Sequence, residues 1–204
     1  MSITEILANF FSNIIYELGY IGVMILMAME SMIFPVPSEA VMPFTGFLIY
    51  EEKFSWVAVF IFSTIGSIIG SSISYLMGLY GGRAFILKYG KYFLLEKEHL
   101  EITEKFFNKY GEITILISRF IPVVRHLISI PAGIAKMNFT KFIIFTTLGA
   151  GTWNMFLAYV GYILKSNWKE IMKYSKILDF IIILLILFIV GYFLYKQLKY
   201  LKKI

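Results

Sequence analysis

Long apolar runs, separated by short polar or proline-containing segments, dominate the chain. Residues 54–78 and 139–164 are each long enough to cross a bilayer, which takes about 20 apolar residues in a helix. A third unbroken run, residues 180–195, predicts a C-terminal transmembrane helix before the basic tail KQLKYLKKI. The pattern therefore predicts an all-α polytopic membrane protein.

Three further segments mix polar and apolar residues and predict structure at the membrane surface. Residues 1–18 alternate apolar and polar side chains as an interfacial amphipathic helix does. Residues 80–109 are densely charged and predict a solvated connector, while residues 165–176 predict a lysine-rich linker. The start of the chain lacks the basic region and cleavage site of a signal peptide, so we expect the chain to be retained whole. The predicted organisation is an N-terminal helix (1–18), a transport domain (19–164) and a C-terminal region (165–204).

Two proline-broken apolar segments, residues 19–50 and 111–135, each precede one of the predicted spans. Proline lacks a backbone donor and crowds the preceding turn, so neither segment is expected to run as one helix. We predict that each is a re-entrant helical hairpin whose freed backbone groups face protein or a wet cavity. The prolines behind this prediction are Pro35, Pro37 and Pro43 in the first segment and Pro122 and Pro131 in the second.

The two broken segments also resemble each other in sequence. A gapless alignment at an offset of 87 places Pro35-Val36 on Pro122-Val123, Glu39 on His126, and Thr45-Gly46 on Ala132-Gly133. Broken hydrophobic segments at corresponding places in two halves indicate the binding site of a transporter. Because one span separates the hairpins, they would enter from opposite faces, which predicts two inverted repeats.

The candidate binding residues in these segments are four charged side chains, Glu30, Glu39, Arg119 and Arg125. A guanidinium stays charged in a membrane and is tolerated when it faces a wet cavity or a partner. A buried carboxylate either takes up a proton or pairs with a cation, so the glutamates are candidate counter-charges and proton carriers. Two guanidiniums can chelate a phosphate, so we predict that these residues bind an anionic head group. The alternative for Glu39 is an interaction with a helix N-terminus after Pro37-Ser38.

Several other positions are candidates for packing, hinge or relay roles. Gly66, Gly70, Ser74 and Gly78 recur every fourth residue and predict a close helix-packing face. His126 is a candidate proton relay, because histidine readily exchanges protons near neutral pH, with interfacial packing as the alternative. Asn154 either lines the cavity or bonds a neighbouring helix. Candidate cavity or hinge positions are Pro35, Pro37, Pro122, Pro131 and Gly133.

Composition narrows the class of function. Of the 204 residues, 59% are hydrophobic, and the formal charge of +6 comes mostly from lysine outside the apolar runs. This excess fits anionic lipid rather than nucleic acid, for which no soluble basic domain is visible. Cysteine is absent, and the sequence predicts no metal site or cofactor. The face that holds residues 80–109, Lys136, Lys141 and the tail collects 12 Lys or Arg, against 5 on the other face, in Lys53 and residues 165–176. This difference predicts a cytoplasmic C-terminus.

The motifs PVPSE, GSIIGSSISYLMG and SRFIPVVRHLISIPAGIAKM, followed by an aromatic-rich span, resemble the DedA family, whose membrane domain is called VTT or SNARE-associated. The resemblance covers about residues 19–164. It implies a transporter of lipid phosphates, notably undecaprenyl phosphate, in the bacterial plasma membrane, dependent on the proton motive force. Glu39 matches the family's hairpin glutamate, and Arg119 and Arg125 match its arginine pair. Many members have an acidic residue where this chain has Ser71, which leaves Glu39 and Glu30 as the intramembrane acids.

Three alternatives to a lipid-phosphate flippase stay open. A phospholipid scramblase would work without energy coupling, and a proton-coupled ion or drug transporter would use the same acids, although the arginines favour an anion. An intramembrane lipid phosphatase is least favoured, because Ser118-Arg119 and His126 are one residue too far apart for the S-R-x(5)-H motif. We therefore expect a non-enzymatic translocase whose partners are membrane lipids. The small-residue stripe is compatible with a homodimer without requiring one.

Overall fold

Helices make up all the regular secondary structure in the described part of the chain. The computed structural model describes residues 3–32, 36–82, 97–121 and 124–164, and the side chains of 3–9 and 97–102 are not among the described atoms. Within these ranges the α-helices are α1 (Ile3–Leu18), α2 (Tyr20–Glu30), α3 (Ser38–Tyr50), α4 (Trp56–Met77), α5 (Lys97–Ser118), α6 (Val124–Leu127), α7 (Ser129–Ile134) and α8 (Phe139–Leu164). The whole predicted C-terminal region (165–204), with its lysine-rich linker, helix and tail, lies outside the described residues, as do Pro35, Pro122 and residues 83–96.

Among the described helices, α4 and α8 are long and apolar enough to cross a membrane. A π-helical turn at Gly78–Gly82 extends α4 to a stretch of 27 residues, and α8 has 26. Each helix begins with a side-chain cap. The hydroxyl of Ser55 accepts from the N–H of Ala58 at 3.3 Å, and Asn138 Oδ1 accepts from the N–H of Lys141 at 3.0 Å. These caps satisfy donors that a helix start leaves free, so both spans begin close to the predicted positions.

Both proline-broken segments are interrupted, but not at every proline. The first is interrupted between α2 and α3, and the second after α5. Pro43 lies inside α3 and Pro131 inside α7, so the expectation that these two prolines break their helices is wrong. Pro131 is tolerated because N–H groups in the first helical turn have no intrahelical partner. At Pro43, the close packing of α3 against Gly161 of α8 holds the backbone helical.

The helix before the second break starts earlier than residue 111, the predicted start of that segment. α5 runs without interruption from Lys97 through Gly111 to Ser118. A single glycine costs a helix about 1 kcal/mol. Burial of Phe107 and Ile115 on either side of Gly111 outweighs this cost. The last part of the charged connector, residues 97–109, therefore forms one continuous helix with the start of the second broken segment.

A face of small residues on α4 brings α2 into close contact. A Cβ added at either of the first two glycines of this face would overlap the backbone of α2. The contacts are Gly66 with the carbonyl of Met24, Gly70 with the carbonyl of Ala28, and the Ser74 hydroxyl, which donates to the carbonyl of Ser31 at 3.4 Å. Small residues let two helix backbones approach in this way. The C-terminal end of α2 is thereby fixed against the middle of α4.

In each half, a helix that follows the break packs against the span of the other half, where α2–α4 is the first half and α5–α8 the second. α3 crosses α8, and α7 crosses the end of α4. At each crossing, two glycines face backbone carbonyls that an added Cβ would overlap. The facing residues are Gly46 with Ala158 and Gly161 with Pro43 at the first crossing, and Gly133 with Tyr75 and Gly78 with Ile130 at the second. Matched glycine contacts therefore hold the two halves together.

Similar turns connect α3 to α4 and α7 to α8. Glu52 (φ 60°) and Lys136 (φ 53°) have left-handed backbone conformations, although neither is glycine. The following N–H groups reach back across the helix ends, from Lys53 to the carbonyl of Leu48 (3.0 Å) and from Met137 to that of Ala132 (3.1 Å). This bonding satisfies carbonyls at a helix C-terminus. The chain therefore enters the two spans, α4 and α8, through turns of the same type.

Apolar packing is concentrated at the two ends of the α4–α8 pair. One cluster includes Val59 and Leu157 with residues of α1–α3, and the other includes Tyr75, Ile115 and Phe142. Between these clusters most of the buried side chains of the two spans are polar, among them Ser67, Ser71, Thr146 and Asn154. The fold therefore places a polar layer midway along both spans.

Candidate functional site

Arg125 is the centre of an ion-pair triad that joins the two halves. It lies in α6, just after the second break, and its side chain is 4% exposed. Its Nη2 donates to Glu39 Oε1 at 2.7 Å, and its Nε lies 3.4 Å from Glu30 Oε1. Glu30 ends α2 and Glu39 is in the first turn of α3, so the two carboxylates flank the first break. Three of the four predicted ionisable residues are therefore in direct contact.

The two carboxylates of the triad differ in exposure. The Glu30 side chain is 7% exposed, and the Ser31 hydroxyl donates to its Oε2 at 3.0 Å. The Glu39 side chain is 46% exposed, and its other oxygen is 3.5 Å from the Ser38 hydroxyl. Glu30 is thus fixed in the interior, whereas Glu39 is the member of the triad that lies at the accessible surface.

Arg119 is held by hydroxyl and carbonyl oxygens. Its Nη1 donates to the main-chain carbonyl of Arg125 at 3.0 Å. Its Nη2 lies 3.1–3.2 Å from the hydroxyls of Ser71 in α4, Ser129 in α7 and Thr146 in α8. The side chain is buried, and no carboxylate of the described residues forms an ion pair with it. Arg119 is therefore a buried cation that neutral groups from four helices hold in place.

A glycine of α8 makes room for this arginine. A Cβ added at Gly149 would lie 2.7 Å from Cγ of Arg119. A larger side chain at this position would push the arginine away from its hydroxyl partners. Gly149 is therefore part of the site, although it has no polar side chain.

His126 contacts the same carboxylate from the second half. Its Nδ1 lies 2.7 Å from the main-chain carbonyl of Glu30 and 3.8 Å from Glu30 Oε1. A carbonyl oxygen only accepts, so Nδ1 donates this bond and Nε2 is left as the acceptor of the neutral ring. The side chain is 25% exposed. His126 therefore connects the buried Glu30 with a more accessible region.

A small polar cavity lies between the two arginines and the spans. Its volume is about 10 Å³, and its lining residues are Glu30, Ser31, Ser67, Arg119, Arg125, Ala150, Trp153 and Asn154. Asn154 combines both of its predicted roles, because it lines this cavity and donates to the Ser67 hydroxyl at 3.2 Å. The Trp153 ring lies over the guanidinium of Arg125, with 5.3 Å between the ring centre and Cζ. The polar layer of the spans thus encloses the inner side of both arginines.

An open apolar groove lies beside the second break. It has a volume of about 470 Å³ and is lined by Phe106, Tyr110, Ile113, Thr114, Ile117, Ser118, Ile121, Val124 and Ile128. The groove follows one face of α5 toward the residues that neighbour the arginines in sequence. A hydrocarbon chain matches such a surface better than a polar ligand does.

Comparison with known proteins places the chain in a family. Residues 36–163 match the family model described as the VTT domain, and this match covers more than half of the chain. This chain belongs to the VTT domain family. The DedA resemblance is confirmed as well, since Protein DedA of Escherichia coli is 32% identical over 99 residues, 48% of this chain and 44% of that protein.

Two relatives match this VTT-domain protein over about nine tenths of its length or more. Undecaprenyl phosphate transporter A of Bacillus subtilis is 39% identical over 182 residues, which is 89% of this chain and 90% of the relative. A protein of Lactococcus lactis subsp. cremoris named alkaline phosphatase-like protein is 36% identical over 205 residues, 94% of this chain and 92% of the relative. No solved structure matches. Together with the two apolar spans, these relatives identify a helical membrane protein.

The VTT match begins after Glu30, so it contains Glu39 and the arginines but not the buried carboxylate of the triad. The structure brings six of the predicted residues together around the two arginines: Glu30, Glu39, Arg119, Arg125, His126 and Asn154. Five others lie at contacts between helices: Gly66, Gly70, Ser74, Gly78 and Gly133. Pro37 precedes α3 and Pro131 lies in α7, while Pro35 and Pro122 fall outside the described residues.

Sequence reasoning missed the neutral residues of the site. The partners of Arg119 and the cavity residues that it did not select are Ser31, Ser67, Ser71, Ser129, Thr146, Gly149, Ala150 and Trp153. Serine and threonine are common in membrane helices, where they also bond their own backbone. The one available signal was position: Ser67 and Ser71 lie on the small-residue α4, and Trp153 precedes Asn154.

Proposed function

We propose that this protein is a flippase for an anionic lipid phosphate, most directly undecaprenyl phosphate, in the bacterial plasma membrane. The observation that carries the proposal is the burial of two guanidiniums midway along the spans, one of which has no carboxylate partner among the described residues. A buried cation held by neutral groups favours binding of an anion. The name of the Bacillus subtilis relative supports the same class of substrate.

The head group would enter from the side of Glu39. An ionised carboxylate exposed to hydrocarbon is costly, so the exposed part of Glu39 should face a water-filled opening. A phosphate that arrives there meets Arg125 first and can replace Glu39 as its partner. Both arginines can then donate to the phosphate oxygens, which are stronger acceptors than the hydroxyls around Arg119.

We propose that the displaced carboxylates take up protons, which would couple transport to the proton gradient. Glu39 would receive its proton directly from the opening, and Glu30 would receive one through His126, whose ring contacts both its carbonyl and its carboxylate. In this relay Nε2 of His126 would accept a proton, and Nδ1 would release its own proton to Oε1 of Glu30, 3.8 Å away. The buried Glu30 is thereby linked to an accessible group without a rearrangement of the backbone.

We also propose that the two halves are inverted repeats built on re-entrant hairpins. The matched glycine contacts, the matched left-handed turns and the side-chain caps of both spans support this arrangement. Both breaks contribute to one site, as in transporters whose substrate binds where two repeats meet. Alternating access would then arise when one broken segment moves relative to the other half.

The apolar groove along α5 is the proposed path of the first isoprene units. Ser118 and Val124 line the groove and are direct sequence neighbours of Arg119 and Arg125, so a phosphate between the arginines would leave its tail at this opening. The rest of the tail would remain in the lipid. Replacing Ile117 with tryptophan should narrow the groove and slow transport of long-chain lipid phosphates.

The expected orientation puts the C-terminus in the cytoplasm, because the tail and residues 80–109 share the face with more Lys and Arg. A cysteine added after Ile204 should therefore resist an impermeant thiol reagent in intact cells and react after lysis. Reaction in intact cells would reverse the orientation. Cross-linking in the same membranes would show whether the chain forms a homodimer.

The deciding experiment is reconstitution into liposomes with labelled undecaprenyl phosphate in one leaflet, with and without a pH gradient. We expect lipid movement by the wild type and a loss of about tenfold or more in Arg119→Gln and Arg125→Gln. The matched control is Lys141→Gln, which removes an exposed cation that pairs with Glu112 outside the site. Full activity in both arginine variants would contradict the proposal.

The same liposomes separate the alternatives. Redistribution of phospholipid without any need for the gradient would indicate a scramblase, and movement of neither lipid would favour an ion or drug transporter. We propose that the protein is not an enzyme, but the alkaline phosphatase-like name of one relative makes released phosphate the control to measure. Production of undecaprenol by the purified protein would replace the transporter proposal with a phosphatase.

A further inference from the structure

Four buried N–H groups around the polar cavity lack an acceptor among the described residues. They are Nε of Arg119, Nε and Nη1 of Arg125, and Nε1 of Trp153. Arg125 Nε is close enough to Glu30 for an ion pair but is not aligned for a hydrogen bond. All three donor residues line the same cavity. Buried donors are nearly always satisfied in proteins, so several unsatisfied ones around one cavity point to a ligand rich in acceptors.

The volume of the cavity limits what can enter it. About 10 Å³ is room for roughly one water-sized atom group. A whole phosphate group is too large, but one of its oxygens fits. The remaining oxygens would stay on the side of Arg125 that faces Glu39. The cavity therefore suits a ligand that inserts a single oxygen between the two guanidiniums.

Trp153 is placed to be a third donor to that oxygen. Its ring already lies over the guanidinium of Arg125, which orients the arginine while leaving the indole N–H available. Indole is a donor that carries no charge and never accepts. An oxygen that meets donors from Trp153, Arg119 and Arg125 must be a strong acceptor, as a phosphoryl oxygen is and a hydroxyl group is not.

We propose that Trp153 binds the substrate directly, donating from Nε1 to the phosphoryl oxygen that enters this cavity between Arg119 and Arg125. The inference rests on the proposed function and adds a neutral residue that selects a phosphate over the corresponding alcohol. The inserted oxygen belongs either to a lipid phosphate or to free phosphate. Both sources share this chemistry, and the experiment below distinguishes them.

The first test uses Trp153 as its own reporter. The chain has three tryptophans, so Trp56→Phe combined with Trp168→Phe leaves Trp153 as the single fluorophore. In nanodiscs, undecaprenyl phosphate should change its emission, whereas undecaprenol and inorganic phosphate should not. A matching response to inorganic phosphate alone would overturn a lipid as the source. No response in a protein that binds undecaprenyl phosphate by an independent measurement would overturn the role of Trp153.

The second test removes the donor and keeps the aromatic ring. Trp153→Phe should weaken binding of undecaprenyl phosphate about tenfold or more and leave binding of undecaprenol unchanged. Trp56→Phe is the matched control, because Trp56 packs against Tyr159 and Tyr162 away from the cavity. Equal binding by Trp153→Phe and the wild type would refute this inference while the flippase proposal stands. Failure of the wild type to bind any lipid phosphate would instead refute the proposed function.

Discussion

The two ion pairs of Arg125 should contribute unequally to stability. Glu30→Gln and Glu39→Gln are a matched pair of substitutions, because each removes one negative charge from the same guanidinium with little change in shape. The pair with Glu30 is buried on both sides, with side chains 4% and 7% exposed. The pair with Glu39 is shorter, at 2.7 Å, but the carboxylate is 46% exposed. Distance alone therefore predicts that the pair with Glu39 contributes more to stability, whereas burial predicts that the pair with Glu30 contributes more.

The magnitudes favour burial. Unit charges about 4 Å apart attract by about 4 kcal/mol at an effective dielectric constant of 20 but by about 1 kcal/mol in water. Breaking a buried pair typically costs about 3–5 kcal/mol, whereas an exposed pair contributes about 0–1 kcal/mol. Since Arg125 keeps one partner in either variant, we expect Glu30→Gln to lower the free energy of unfolding by about 3 kcal/mol. Glu39→Gln should lower it by about 1 kcal/mol or less.

Equilibrium unfolding in mixed micelles, followed by circular dichroism, measures both losses against the wild type. Both variants should be impaired in transport, but Glu39→Gln should be impaired with the fold intact, because it removes the carboxylate that the head group meets first. Equal losses of stability, or a larger loss for Glu39→Gln, would refute the reasoning from burial. Glu39 would then be shielded from water, and the proposed opening on its side would be wrong.

Three further predictions concern the rest of the site and the helix crossings. Arg119→Lys replaces a planar five-donor group with one ammonium, so transport should fall about tenfold or more at unchanged expression, and full activity would contradict a chelating role. Gly46→Ala places a methyl group against the backbone of α8 and should cost about 1–3 kcal/mol in thermal unfolding, whereas Gly81→Ala, which has open space, should cost little. Asn154→Ala should cost about 1 kcal/mol by the same measurement, and no loss would show that its bond to Ser67 is unimportant.

The spans and the charged residues of the site were predictable because both have strong local signals. Hydrophobic length located α4 and α8, and an ionisable residue in an apolar segment stands out from its neighbours. Opposite charge alone predicted that the arginines pair with the glutamates, but in the structure the two carboxylates are not shared equally between the two arginines. Arg125 contacts both carboxylates, while Arg119 is held by hydroxyls. That division depends on tertiary geometry, which single-sequence reasoning does not provide.

The misplaced helix boundaries have a different origin. Pro43 and Gly111 are both poor helix formers, and local propensity therefore predicted breaks or boundaries near them. Their effect is overridden by contacts distant in the chain, the crossing of α3 with α8 and the burial of Phe107 and Ile115. Local rules locate a break correctly where no such contact opposes them, as between α2 and α3.

The charge balance of the site limits how many protons can accompany the lipid. Arg119, Arg125, Glu30 and Glu39 carry formal charges that sum to zero, and Ser71 adds only a neutral hydroxyl to this balance. A phosphate monoester adds about −1.5 to −2 charges near pH 7, which a buried site tolerates poorly. One proton on each carboxylate would restore neutrality, so the proposed exchange carries up to two protons with each lipid. Glu39→Gln should then lower the measured ratio of protons to lipid, and an unchanged ratio would show that the carboxylates do not carry the coupling protons.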